Sequence, residues 1–75
     1  MSFQAYLDTI QAKTRLDADA LKAEADAAGL SIGGVLKADV KAGQVVAWGK
    51  DKLGLGHGHA MAIYALLSGK RKPGD

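Results

Sequence analysis

The chain has 75 residues, no cysteine and a formal net charge of +2. That length holds one domain, and so small a domain buries only about 60% of the surface its unfolded chain exposes. No disulfide or thiolate zinc site is available to support the core. The opening MSFQAYLDTI lacks the basic segment and apolar run of a signal peptide. The longest apolar run, Ala60 to Leu67, falls well short of the about 20 residues a membrane span requires. The expectation is a soluble, cytoplasmic protein with no membrane association.

A first helix is predicted after Ser2, a residue suited to an N-cap. Phe3, Tyr6, Leu7 and Ile10 recur at helical spacing and form one face, and the helix fades near Thr14. The second helix starts at the N-cap Asp17 and runs through ADALKAEADAA. Leu21, Ala25 and Ala28 form a narrow apolar stripe on it, and Gly29 is placed to end it in the left-handed conformation. Leu30 to Ala38, LSIGGVLKA, contains a loop at Gly33-Gly34. Ile32, Val35 and Leu36 are too apolar for a free linker, which puts this loop against the core.

A third helix is predicted from about Asp39 to Leu53, with Ala42, Val45, Val46, Gly49 and Leu53 on one face. Gly43 and Gly49 lie inside it, each costing about 1 kcal/mol relative to alanine. Gly49, on the apolar face, reads as a close helix–helix contact. Trp48 reads as core packing at the boundary with solvent. The fourth helix runs from about His57 to Ser68, with Ala60, Ile63, Tyr64 and Leu67 inward. SGKRKPGD then breaks the pattern, so residues 1–69 make the domain and residues 70–75 a basic, flexible tail. No stretch alternates with the period of a strand. The fold expected is all-α, four short helices arranged as two packed helical hairpins.

Charge is unevenly spread. Residues 1–36 carry three cations against five carboxylates, and residues 37–75 carry seven against three. The excess in the second half points to an anionic partner or to a solvated surface with a basic tail.

The densest cluster of unusual residues is GLGHGHA, Gly54 to Ala60. As a metal site it is poor. His57 and His59 on a helix point about 200° apart, and the chain has no other histidine and no cysteine to complete a zinc site. As a catalytic site it lacks a nucleophile and an orienting carboxylate nearby. No catalytic residue, metal or cofactor is therefore expected. The backbone offers more. Gly54 and Gly56 permit positive φ and a close approach, and Leu55 between them can plug the joint of two helices. The first amides of the fourth helix, those of His57, Gly58 and His59, have no partner within the helix and with its dipole can hold one phosphate. Gly58 removes a side chain that would shield them. Lys50 and Lys52 precede the turn, and Lys70, Arg71 and Lys72 follow the helix. The other reading of the same residues is a purely structural glycine corner.

The stretch LGLGHGHAMAI, Leu53 to Ile63, resembles the hairpin of the helix-hairpin-helix family, with Gly-hydrophobic-Gly followed after three residues by alanine. The resemblance implies sequence-independent contact with a nucleic-acid backbone through Gly54, Gly56 and Gly58. Members of that family often carry lysine or arginine where His57 stands here. Over most of its length, in SFQAYLDTIQAKT, VKAGQVVAWGK and GLGHGHAMAIYALL, the chain also resembles a small bacterial family labelled domain of unknown function 4287. It departs from that pattern around Arg15 to Ala20 and at Gly49. This resemblance implies a folded bacterial domain and no particular chemistry.

The function expected is a small non-enzymatic binding module. In one form it holds DNA or RNA backbone phosphates weakly, through Gly54, Gly56, His57, Gly58 and His59, with Lys50, Lys52, Lys70, Arg71 and Lys72 adding counterion-release affinity. Base-specific readout is not expected, since no helix is rich in Arg, Asn or Gln. Base stacking has only Phe3, Tyr6, Trp48 and Tyr64 to draw on, and the core needs most of them. In the other form the chain is a protein-interaction or dimerisation module, joined through the alanine stripe of the second helix.

Overall fold

Four helices and one short β-hairpin make up residues 2–75, the part of the chain that the computed structural model describes. The first helix, α1, spans Phe3–Thr14. Ser2 caps it by accepting a hydrogen bond from the Ala5 amide at 3.2 Å. It ends where Arg15 takes the left-handed conformation, φ 64°, and donates its amide to the Gln11 carbonyl. The second helix, α2, spans Ala18–Ala27 and is capped by the Asp17 carboxylate on the Ala20 amide at 2.8 Å. Gly29 follows with φ +80°, as its position predicts. The stripe on α2 is shorter than expected: Leu21 and Ala25 are sealed in the core, but Ala28 is exposed.

The Gly-Gly loop is the main departure from the sequence reading. Gly33 and Gly34 have φ of +60° and +80°, the signs that a two-residue type I′ turn needs at both central positions. They join β1, Ser31–Ile32, to β2, Val35–Leu36, in an antiparallel pair with Ser31 opposite Leu36 and Ile32 opposite Val35. Ile32 and Val35 were expected on the core, but they are 71% and 65% exposed, whereas Ser31 is only 2% exposed. The reason lies in Asp26. Its carboxylate accepts hydrogen bonds from the Ser31 hydroxyl and from the Gly34 amide. Those bonds hold Ser31 inward, and the alternation of side chains along a strand then turns Ile32 out. Only Leu36 of the three apolar residues packs against the core.

The third helix, α3, spans Ala42–Leu53 and starts three residues later than Asp39 suggests. Asp39 lies in a turn closed by the Val40 amide on the Lys37 carbonyl at 3.1 Å. The helix is instead capped from inside, by the Gln44 side-chain oxygen on the Lys41 amide at 2.8 Å. The fourth helix, α4, spans His57–Ser68 as predicted.

That last helix organises the molecule. It buries Ala60, Ala62, Ile63, Leu66 and Leu67, too many directions for an amphipathic surface helix. It packs most extensively on α3 and also against α1, α2 and β2, so α1 and α2 meet chiefly through it. Its partners in the core include Ile10, Leu21 and Val45, all fully buried, each contributing roughly 1.5–3 kcal/mol of burial. Where α3 crosses α4, a Cβ on Gly49 would lie 2.9 Å from the Ala60 Cβ. Gly49 is therefore the close contact that its place on the apolar face predicts, whereas Gly43 faces open space. Residues 70–75 run back to the first turn of α1. There the Gly74 amide donates to the Gln4 side chain at 2.7 Å and the Gln4 amide to the Asp75 main-chain oxygen at 3.2 Å. No helix among the described residues is long and apolar enough to cross a membrane.

Candidate functional site at the α3–α4 corner

The corner is built by three residues with three different tasks. Gly54 ends α3 in the left-handed conformation, φ +66°, a region that side chains enter only at a cost. Leu55 is 4% exposed and plugs the joint, its amide returning to the Gly49 carbonyl at 3.1 Å. Gly56 is the N-cap of α4, with φ −78° and ψ 172°. The expectation of positive φ holds for Gly54 and fails for Gly56, whose extended backbone any residue can adopt. A Cβ there would meet nothing within 4 Å.

Glycine at the N-cap has a chemical consequence. It brings no side chain to accept from the first amides of α4. The first backbone bond of the helix is Ala60 N–H to Gly56 carbonyl at 3.0 Å, which leaves the amides of His57, Gly58 and His59 without an intrahelical acceptor. Gly56, His57 and Gly58 are exposed.

This turn opens on a cleft of about 540 Å³ between the N-terminal ends of α1 and α4. Ser2, Phe3 and Tyr6 line it from α1, and His57, Gly58 and Met61 from α4. Arg71 supplies a cation and Asp75 a carboxylate from the returning tail. Tyr6 sits close to Gly58, 3.9 Å from where its Cβ would be, and meets the His59 ring edge to face at 5.2 Å. His57 faces the cleft, while His59 is half-buried against Tyr6 and its Nε2 has no hydrogen-bond partner. Among the described residues no three of His, Asp and Glu gather to hold a metal ion.

Of the ten residues singled out from the sequence, the structure brings His57, Gly58 and Arg71 to one cleft, with Gly56 capping the same turn. The other cations are elsewhere. Lys52 pairs at the surface with Asp51 at 3.6 Å and lines a groove beside Trp48. Lys70 lies over the Tyr64 ring, 5.8 Å from its centroid. Lys72 lines a separate groove on the β-hairpin side. Lys50 is exposed on the last turn of α3. Ser2, Phe3, Tyr6, Met61 and Asp75 were missed as cleft residues. The sequence places Phe3 and Tyr6 on an apolar face, but nothing local says that this face ends beside the start of α4. Phe3, Tyr6, Trp48 and Tyr64 are all partly buried against the core, so none is a free stacking platform.

The chain belongs to the family described as Domain of unknown function (DUF4287), whose pattern matches residues 2–69. No curated protein and no solved structure is significantly similar to it. The matched span contains the whole corner and all four helices, and its all-α fold has a second helix pair of helix-hairpin-helix character.

Proposed function

We propose that the protein is a small non-enzymatic module that binds a backbone phosphate of DNA or RNA at the start of α4, without reading sequence. The observation that carries this is the glycine N-cap. It leaves three adjacent amides without an intrahelical acceptor at the positive end of a twelve-residue helix, and two of their residues, His57 and Gly58, line a cleft that also holds Arg71. Asp75 on the same cleft opposes an anion, so binding is weak and requires the tail to yield. Lys50, Lys52, Lys70 and Lys72 act at longer range, through the potential of the basic half of the chain. The dissociation constant falls in about the 10⁻⁶ to 10⁻⁴ M range of non-specific binders near physiological salt. The lack of cysteine suits a reducing cytoplasm, where we place the protein.

The test is a titration of ¹⁵N-labelled protein with short duplex and single-stranded DNA at low and then higher salt. Salt-sensitive shifts focused on the amides from Gly56 to His59 support the reading. Silent amides there, or shifts confined to Lys70, Arg71 and Lys72, reduce the corner to a structural joint. Gly56→Asp separates binding from stability. The new carboxylate would cap α4 and stabilise the fold by a few tenths of a kcal/mol, while filling the anion site and abolishing the shifts. A Gly56→Asp protein that melts higher and still binds DNA as before would refute the phosphate site.

A protein-interaction or dimerisation contact through the α2 stripe would rest on Ala28, since Leu21 and Ala25 lie inside the chain's own core.

A further inference from the structure

A second surface shares Arg71 with the α1–α4 cleft and is otherwise different in composition. It is a groove of about 350 Å³ where α2, β2 and the end of α4 meet. Lys22, Arg71 and Lys72 stand around it, and Val35, Leu66 and Leu67 line its apolar part. No carboxylate lines it. Among the described residues the only side-chain ion pair is Lys52 with Asp51, so all three of these cations are unpaired. Asp26, one turn from Lys22 on α2, is engaged by Ser31 and Gly34. Asp75 accepts from the Lys72 main-chain amide.

The groove is held in shape. The stem of Lys22 lies across the Gly34 backbone, its Cδ 2.7 Å from where a Gly34 Cβ would be. Lys22 thus covers the hairpin with its methylenes, as long cationic side chains do, and lines the groove. The groove also runs onto Val35, which with its cross-strand partner Ile32 makes the exposed large apolar pair of the described residues. A phosphate backbone would satisfy the cations and leave the apolar part unused. A purely apolar partner would leave three charges facing nothing.

We infer that this groove is a docking site for a peptide segment that combines acidic and apolar side chains, on a partner protein. The carboxylates meet Lys22, Arg71 and Lys72, and an apolar side chain packs on the exposed Val35. This site does not depend on the phosphate reading. The two share Arg71, so the discriminating positions are Lys22 and Val35, which lie off the α4 cleft.

The experiment titrates the full ¹⁵N-labelled chain with a short peptide of alternating leucine and glutamate. Matched peptides of glutamate alone and of alternating leucine and lysine serve as controls, with short duplex DNA and anionic phosphatidylglycerol vesicles as competing classes. The expected result is a set of shifts at Gly34, Val35 and Gly69 with the leucine–glutamate peptide. The leucine–lysine peptide leaves these amides unmoved, and the all-glutamate peptide binds at least about fivefold more weakly. Lys22→Gln weakens binding about two- to fivefold, and Val35→Ser by a similar factor, both at exposed or half-buried positions where the fold is kept. Equal binding of the all-glutamate peptide overturns the inference. So does displacement of the peptide by DNA or vesicles with shifts at these same amides, and so does silence at Gly34 and Val35. Shifts at Gly56 to His59 report the phosphate site and leave this result unaffected.

Discussion

Two of the glycine turns have opposite outcomes for the side chains beside them. At the α3–α4 corner one left-handed residue, Gly54, is enough, and the next side chain, Leu55, goes into the core. At the β-hairpin both Gly33 and Gly34 are left-handed, and the flanking Ile32 and Val35 go to solvent. Glycine in each case permits the backbone shape. The direction of the neighbours is set elsewhere: by the packing of two helices in the first corner, and by the carboxylate of Asp26 in the second. One corner closes the core and the other displays apolar surface.

The sharpest way to break this contrast is to remove the two side chains. Leu55→Ala leaves a cavity at the joint and is expected to cost about 2–5 kcal/mol, a large part of the roughly 4–11 kcal/mol that a chain of this size has. Val35→Ala, at an exposed site, is expected to stay within about 0.5 kcal/mol of the parent. Urea denaturation followed by circular dichroism measures both. Similar losses for the two variants would mean that the corners do not differ in the way described.

A smaller effect sharpens the same comparison along α3. Gly49→Ala forces a methyl to 2.9 Å from Ala60. The strain of about 1–3 kcal/mol is only partly offset by about 1 kcal/mol of helix propensity. Gly43→Ala meets open space, and the same propensity gain should appear there as stabilisation. The two midpoints should move in opposite directions. A rise in both would show that the helices can separate without loss.

The smallest effect concerns the hairpin. The Ser31 hydroxyl, then the Gly34 and Gly33 amides, hold the Asp26 carboxyl below its ordinary value against a lesser opposing effect of burial. A depressed folded-state pKa means that this carboxylate stabilises the fold above its unfolded value of about 3.9 and loses that contribution as pH falls through the folded value. Asp26→Asn should remove this part of the acid dependence. Hydrogen exchange at Gly34 should report it first, before global unfolding. A Gly34 amide with the same acid response in both proteins would exclude Asp26 as the clamp.

Much of this architecture was legible in the order of residues. Ser2, Asp17 and Gly29 act where their chemistry puts them, and α4 has its predicted bounds, because caps and helical periodicity are local. Gly49 was legible too, since a glycine on an apolar helix face has few other uses. Three features were not. Asp39 has the chemistry of an N-cap, but Val40 closes a turn on Lys37 and moves the start of α3 to Ala42. The apolar letters of the hairpin suggested burial, and the one polar residue, Ser31, was buried instead through a bond to a residue five positions away. The candidate cleft joins the first turn of α1 to the first turn of α4 and to Arg71. Contacts spanning so much of the chain leave no local periodic signal.

The position of α4 at the centre of the packing also bears on how the chain comes together in time. Its principal neighbour, α3, is joined to it by three residues, so their contacts close a short loop, whereas α1 must be brought in from the far end of the sequence. Short-range contacts form with little loss of chain entropy and long-range ones with more. The α3–α4 pair is therefore the natural nucleus, and α1 docks late. Mutations that cut Val45 or Ile63 should slow folding, while those that cut Leu7 should mainly hasten unfolding. The helix that starts on a glycine N-cap is then the one around which the rest of the protein assembles.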